Sequence, residues 1–285
     1  MTAEVGRDEP RGHAFRLFTI WGVTSVIAVV LVIWVLGPQL PPGSMTTQAH
    51  GQTTTNIVLT AVCLPIALLV VVFFIYSLIA FRARGREEDG APIHTNGRVI
   101  VLWLVTTVTV VMGLAIWGSY ELLPGQNGAG GGAGPNPIFR PAGAHLALPV
   151  QVIGQQWLWT FRYPTYGGVE SPKLAIPEHR LVALHVTSLD VNHSFWAYQL
   201  GVKADAVPGV DNIAYVDANR TGVFTIRCAE LCGLWHGNMF TKGQVLTNSQ
   251  FGSWIAKVVK QNAPATHFLP PFSYHYFPEP LRRAG

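Results

Sequence analysis

The chain has 285 residues, 49% of them hydrophobic and only 12% charged, with a formal net charge of +4. Its mean hydropathy of +0.30 is too high for an ordinary soluble domain. The apolar residues concentrate in the first half, which indicates a membrane protein. The basic residues are scattered, so the charge does not support a nucleic-acid partner.

Three apolar stretches, residues 17–36, 57–81 and 99–118, can each cross a membrane, because a helix needs about 20 residues to span a hydrocarbon core of about 30 Å. The first is longer than the apolar part of a usual secretory signal peptide, and no small-residue cleavage site follows it. We therefore expect an uncleaved helix there. Pro65 in the second stretch is tolerated where neighbouring groups take up the freed carbonyl.

Arginines flank these stretches unevenly. They occur before the first and between the second and third, whereas residues 38–56 contain no Lys or Arg. The positive-inside rule places the N-terminus and the arginine-rich loop in the cytoplasm. Everything after Pro124 is then expected on the outer face of a bacterial plasma membrane, with lipid around the helices.

The second half of the chain reads as a separate soluble part. Residues 125–143 are Gly-rich, and short β-rich runs follow from about His145, which predicts a small β-sandwich or barrel. In chain order we expect an N-terminal cytoplasmic segment with an extra transmembrane helix and outer loop (1–54), a transmembrane helical hairpin (55–123), a Gly-rich linker (124–144), a β domain (145–250) and a tail that packs on the domain or on partner subunits (251–285).

The segment CAELCGLWHGNM carries the chemistry, because it brings Cys228, Cys232, His236 and Met239 within a dozen residues. Thiolate, thioether and imidazole together suit copper. A blue-copper centre needs one Cys, two His and a weak axial Met, so the second thiolate is surplus for one ion. Two thiolates can instead bridge two copper ions.

A dinuclear site needs a second nitrogen ligand, since His236 is the only histidine in the segment. His193, in LDVNHSFW, is the best candidate, and His179 and His185 compete with it. Met239 and the backbone carbonyl of a residue such as Glu230 would supply weak axial ligands.

A structural zinc site is the alternative reading of two cysteines and a histidine. The nearby methionine favours copper, because zinc makes little use of a thioether. A site closed in this way has no open position for a substrate, so we expect electron transfer rather than hydrolysis or oxygenation.

CAELCGLWHGNM resembles the motif C-x-E-x-C-x-x-x-H-x-x-M of cytochrome c oxidase subunit II at every ligand position. The segments DVNHSFWAYQLGVKADAVPG and GQQWLWTFRYP and the helical hairpin also resemble this family, so the similarity covers about residues 55–250. The resemblance implies a membrane α-helical anchor, here of three transmembrane helices, followed by an all-β cupredoxin-like domain.

The resemblance also implies individual roles. Cys228 and Cys232 would bridge two coppers, His193 and His236 would bind one copper each, and Met239 and the Glu230 carbonyl would be axial ligands. The Glu230 carboxylate would face a magnesium ion at the boundary with subunit I. Trp157 would receive the electron from cytochrome c, whereas Trp159 is expected in the core.

The implied function is that of the subunit of a terminal respiratory oxidase that accepts electrons from cytochrome c and passes them to haem in subunit I. Subunit I would hold the haems and a further copper, reduce oxygen to water and pump protons. A copper-containing nitric oxide reductase subunit is the alternative. Three membrane spans stand where nitrous-oxide reductase has a propeller domain, and the copper ligands argue against a quinol oxidase. A copper chaperone would have exposed ligands without a membrane anchor.

Two departures from the family pattern concern protons and docking. Ile100 stands where the family has the glutamate of a proton channel, and the other candidates for that role are Glu87, Glu88 and Asp89. The acidic surface that docks a basic cytochrome c is thin, because Arg162 and Lys173 stand beside a single Glu170. We therefore expect weak salt dependence, or a donor that is less basic or membrane-tethered.

Overall fold

Apolar helices and short strands form separate parts of the chain in the computed structural model, which describes residues 10–82, 95–122 and 141–266. The chain divides into two units. One comprises Met1–Leu40 with Thr53–Glu121, and the other comprises Pro41–Gln52 with Leu122–Gly285. Glu87, Glu88 and Asp89, most of the Gly-rich linker and residues 267–285 lie outside the described residues.

The first unit is helical. Helix α1 (Pro10–Leu31) continues through a π-helical turn (Val32–Leu36) and a 3₁₀ turn (Gly37–Gln39), and is followed by α2 (Thr47–Ala80) and α3 (Gly97–Leu122). Among the described residues, three spans are long and apolar enough to cross a membrane, with mean hydropathies of 2.4, 3.0 and 2.5. The predicted three transmembrane helices are confirmed. The apolar windows of α2 and α3 have no buried residue, so their side chains are free to face lipid or other subunits.

The second unit is a sandwich of two five-stranded sheets. Its strands are β1 (Leu148–Gln155), β2 (Leu158–Tyr163), β3 (Val169–Ser171), β4 (Ala175–Pro177), β5 (Leu181–Ser188), β6 (His193–Ala197), β7 (Val202–Ala206), β8 (Asn212–Asp217), β9 (Gly222–Cys228) and β10 (Phe240–Leu246). The strand orders are β3-β2-β1-β5-β8 and β4-β10-β9-β6-β7. The predicted all-β, cupredoxin-like domain is confirmed.

The core of the sandwich follows from the alternation of side chains along each strand. In β7 the small residues Val202, Ala204 and Ala206 are buried, while Lys203 and Asp205 between them are exposed. Aromatic side chains from both sheets fill the interior, including Phe161, Phe195 and Phe224. Strands β6 and β9 pair in one sheet and carry two of the predicted metal ligands, His193 and Cys228.

Two further segments pack on the sandwich. Helix α4 (Asn248–Thr266) buries Phe251, Ile255 and Val258 against it, so the described part of the predicted tail is helical. The Pro41–Gln52 segment joins the same core through Met45. The Met45 N–H donates to the Gln199 carbonyl at 2.8 Å, and the Met45 carbonyl accepts from the Asn219 N–H at 2.9 Å.

Tyr163 joins the two sheets. Its hydroxyl donates to the Ala175 carbonyl at 3.0 Å and accepts from the Ala175 N–H at 2.9 Å, and Ala175 begins β4 in the opposite sheet. Its ring packs edge-on against Trp254 of α4, with ring centroids 5.5 Å apart. Burial raises the pKa of Tyr163, although the backbone hydrogen bond with Ala175 opposes this shift. The neutral phenol is therefore the form that the fold requires.

We expect Tyr163→Phe to lower the free energy of unfolding by about 1–3 kcal/mol, because it leaves two buried backbone groups without their partner. A raised pKa in the folded state gives stability that is complete below the unfolded tyrosine pKa of about 10 and is lost as pH rises above it. The variant should therefore lose less stability between about pH 9 and 11 than the wild type.

Denaturant unfolding of the solubilised full chain, followed by circular dichroism across this pH range, would check the prediction. Tyr166→Phe, at a half-buried tyrosine beside Phe251, is the matched control. Equal stability of the Tyr163→Phe and Tyr166→Phe variants would contradict the role assigned to the Tyr163 hydroxyl.

Candidate metal centre

The ligand segment is a loop between two paired strands. Strand β9 ends at Cys228 and β10 begins at Phe240, and the two strands are antiparallel. The Cys228 N–H donates to the Met239 carbonyl at 3.0 Å, which closes the base of the loop. This pairing places Cys228 and Met239 side by side although eleven positions separate them along the chain.

His193 comes to the loop from the neighbouring strand. It begins β6, which pairs with β9 in the register Phe195 to Cys228, and the Ala229 N–H donates to the Ser194 carbonyl at 2.9 Å. The His193 imidazole is fully buried, and its Nδ1 lies 3.8 Å from the Cys228 Sγ. Strand pairing therefore brings together two predicted ligands that are far apart in sequence.

The donor atoms of all six predicted ligands converge. The two Sγ atoms of Cys228 and Cys232 are 3.8 Å apart, and the Glu230 carbonyl oxygen lies 3.2 Å from the Cys228 Sγ. The Cys232 Sγ lies 3.5 Å from the His236 Nδ1 and 3.7 Å from the Met239 Sδ. Cys228, Cys232 and Met239 are all buried.

The two competing histidines lie elsewhere. Among the described residues, the cluster of His and Cys side chains close enough to hold a metal ion contains His193, Cys228 and Cys232. His185 instead pairs with Asp211, with 2.9 Å between the His185 Nδ1 and a carboxylate oxygen. His179 occupies a turn with φ of 52°, where its N–H donates to the Ala218 carbonyl.

The pKa values of the two thiols are shifted in opposite directions. Burial acts to raise the pKa of Cys228, but hydrogen bonds with His193 and with backbone groups outweigh it and lower that pKa to about 6. Burial and the neighbouring Cys228 raise the pKa of Cys232 to about 12. Without metal the pair therefore favours one thiolate and one thiol. A metal that binds both sulfurs must displace the second proton.

This donor set fits a dinuclear copper site. Two sulfurs that face each other can both bridge, and an imidazole lies beside each of them. The Met239 thioether is buried and directed at Cys232, where it suits copper better than zinc. His193, Cys228, Cys232 and Met239 are buried, which keeps water from most of the donor atoms and suits electron transfer.

Trp157 and Trp159 differ as the sequence predicts. Trp159 is buried and packs edge-on against His193 and Phe195, with ring centroids 6.0 and 5.7 Å apart. Trp157 is half-buried in the turn before β2, and its indole N–H donates to the Cys232 carbonyl at 3.2 Å. Gly233 has a φ of 113°, and a Cβ there would lie 3.0 Å from the Gln156 side-chain nitrogen, which is closer than such atoms usually come.

Two residues at the site were not singled out in the sequence. The Gln156 side-chain amide donates to the Cys232 carbonyl at 2.8 Å, and the Asp190 carboxylate lies 2.9 Å from the His193 Nε2. Burial opposes ionisation of Asp190, but hydrogen bonds from Gln156, His193 and Val191 outweigh it and lower its pKa. In the sequence, the feature that connects Asp190 with the site is its position three residues before His193.

Comparison with known proteins identifies relatives of this chain. Residues 169–244 match the family model described as cytochrome c oxidase subunit II, periplasmic domain. The cytochrome c oxidase subunit 2 of Synechocystis sp. is 30% identical over 236 residues, which cover 70% of this chain and 68% of the relative. The subunit 2 of Thermostichus vulcanus is 28% identical over 278 residues, or 83% and 84% of the two chains.

A solved structure, the periplasmic domain of subunit II of cytochrome oxidase of Bradyrhizobium japonicum, is 31% identical with a TM-score of 0.39. The match covers 40% of this chain and 94% of the solved periplasmic domain. The names of the relatives do not favour the nitric oxide reductase alternative. From the extent and identity of the match to the Synechocystis protein, together with the family model over the copper domain, the chain belongs to the cytochrome c oxidase subunit II family and is a subunit of a haem-copper oxidase.

Proposed function

We propose that this chain accepts electrons from cytochrome c at a dinuclear copper centre and passes them to a haem of subunit I, where oxygen is reduced to water. The observation that carries the proposal is the convergence of two cysteine sulfurs 3.8 Å apart with an imidazole nitrogen beside each sulfur. Haems and a further copper belong to subunit I, together with proton pumping.

The chain's own residues would hold the two ions. Cys228 and Cys232 would bridge them, His193 and His236 would supply one nitrogen each, and Met239 and the Glu230 carbonyl would be weak axial ligands. When bound, two coppers that share one electron spread the change of charge, so little rearrangement accompanies each transfer. The closed β9–β10 loop supports this by holding the ligands in place before and after transfer.

Trp157 would be the point at which electrons arrive. Its ring is half-buried rather than enclosed, so a docked protein can approach it. Its indole N–H contacts the carbonyl of Cys232, a proposed copper ligand. An electron that enters at Trp157 would thus reach the copper centre through this hydrogen bond and through Cys232 itself.

The ligand loop also offers a surface for subunit I. Leu231 and Leu234 are 79% and 86% exposed, and Trp235 is 52% exposed, although they lie beside the buried Cys232 and the half-buried His236. Exposed apolar side chains grouped in this way are typical of a protein interface. Glu230 lies exposed in the same loop, where its carboxylate would bind magnesium at the boundary with subunit I.

The charges that follow Trp157 along the chain support a weakly electrostatic docking surface. Arg162 is fully buried and pairs with Glu170, with contacts of 2.9 and 2.6 Å, so the two charges compensate each other. Lys173 is exposed nearby in sequence. A strongly basic cytochrome c would find little net negative charge in this stretch, which suits a less basic or membrane-tethered donor.

The membrane arrangement completes the proposal. The three helices would span a bacterial plasma membrane with the arginine-rich loop inside, and the copper domain would lie on the outer face. Lipid, subunit I and other oxidase subunits would cover the apolar helix surfaces. This leaves the copper domain accessible to a donor outside the cytoplasm.

The metal content gives the first test. The purified oxidase should contain two coppers in this subunit, with one unpaired electron shared between both nuclei in the electron paramagnetic resonance spectrum. Cys228→Ser or Cys232→Ser should remove the shared-electron spectrum, because a hydroxyl is a poor bridging ligand for copper. Cys63→Ser, at the exposed cysteine of α2, is the matched control and should leave it unchanged. Zinc, or a single localised copper, in the wild type would contradict the proposal.

The role of Trp157 can be tested separately. Trp157→Phe keeps an aromatic ring but removes the N–H that contacts Cys232, so reduction by cytochrome c should slow by about tenfold, a barrier higher by about 1.4 kcal/mol, with copper content unchanged. Stopped-flow kinetics would measure this. Trp196→Phe, on an exposed face of β6, is the control and should keep the wild-type rate. A wild-type rate in Trp157→Phe would remove Trp157 from the route.

The docking charge gives a third expectation. Turnover with the native cytochrome c should change by less than about threefold between about 20 and 200 mM salt, because screening weakens only interactions between exposed charges. Steady-state oxygen consumption over this range would measure it. A steep loss of turnover would show that acidic groups elsewhere on the subunit dominate docking.

A further inference from the structure

We propose that Asp190 is a positioning residue of the copper centre, whose carboxylate holds the His193 imidazole and the Trp157 turn in fixed relation to each other. The inference rests on the proposed function, since it concerns how that site is held. Asp190 lies in the loop between β5 and β6, three residues before His193, and its side chain is 32% exposed.

The first contact sets the orientation of the ligand. Asp190 Oδ1 lies 2.9 Å from the His193 Nε2, while the His193 Nδ1 faces the Cys228 sulfur at 3.8 Å. Copper would therefore bind at Nδ1, and Nε2 would carry the proton and donate it to Asp190. A carboxylate behind a ligating histidine keeps the ring in one tautomer and one orientation.

The second contact reaches the turn that carries Trp157. The other carboxylate oxygen, Asp190 Oδ2, accepts from the backbone N–H of Gln156 at 2.7 Å. The Gln156 side chain in turn donates to the Cys232 carbonyl at 2.8 Å. Asp190 and Gln156 thus connect His193, the Trp157 turn and the ligand loop, which are three separate parts of the chain.

The number of donors explains why the residue is an aspartate. Asp190 Oδ1 accepts from the Val191 N–H at 2.7 Å and from the Ser188 hydroxyl at 3.3 Å as well as from His193, and Oδ2 accepts from Gln156. All four groups are donors, so both positions must be acceptors. A carboxylate provides two acceptor oxygens, whereas an asparagine amide would turn an N–H₂ group toward one of these donors. Asparagine therefore has nearly the same shape but cannot accept hydrogen bonds at both positions.

The negative charge has its own effect. A carboxylate hydrogen-bonded to a ligating imidazole makes that imidazole a stronger donor and favours the more positive, oxidised state of the metal. Removing the charge should therefore raise the reduction potential. A residue that only shaped the loop through Val191 would leave the potential unchanged.

The test is Asp190→Asn in the complete oxidase. We expect two coppers to remain, an altered electron paramagnetic resonance spectrum, a raised reduction potential and reduction by cytochrome c that is slower by about 10- to 100-fold. Asp211→Asn is the matched control, because Asp211 pairs with His185 in the same domain away from the cluster. The control should keep the wild-type spectrum, potential and rate.

A wild-type spectrum and potential in folded Asp190→Asn would overturn the inference. If that variant does not accumulate, Asp190→Ser takes its place, since a serine hydroxyl can still bond the Val191 N–H but does not reach His193. The same shifts in this variant would support the inference, and wild-type values would overturn it. Failure of the proposed function would appear in the wild type, as missing dinuclear copper, and is thereby distinguishable.

Discussion

The position of β9 between β6 and β10 is the constraint on which the proposed metal site depends. Its pairing with β10 brings Met239 beside Cys228, and its pairing with β6 brings His193 to the same end of the sheet. Backbone ladders of this kind leave little freedom at a strand end. The ligands are therefore held by the sandwich, and the loop between β9 and β10 only has to place Cys232 and His236.

The rest of the domain keeps that arrangement rigid. Tyr163 ties the two sheets together through Ala175, and α4 covers the open side of the sandwich with Phe251 and its neighbours. The Pro41–Gln52 segment, which includes the first residues of α2, contributes Met45 to the same core. A site whose ligands are held in this way changes little when its charge changes, which suits the proposed electron transfer.

Electrostatics and hydrogen bonding give the site its asymmetry. The pKa of Cys228 is lowered by its partners, whereas that of Cys232 is raised by burial and by Cys228 itself. His193 shares hydrogen bonds with Cys228 and Asp190, which raise its pKa although burial acts in the opposite direction. Hydrogen bonds outweigh the effect of burial at Cys228 and His193, whereas Cys232 keeps a proton that a bound metal would displace.

Local features were determined by the sequence alone. The three spans follow from hydropathy, and the cluster from Cys228 to Met239 follows from spacing within one loop. Only the tertiary structure decided what depends on strand register. It placed His193, which the sequence favoured over His179 and His185, beside Cys228, and it brought Asp190 and Gln156 to the same cluster. It also placed Pro41–Gln52 in the copper domain. Residues within one short loop are close in space whatever the fold, because the chain connects them. Contacts between distant segments form only when the strands pair in the correct register.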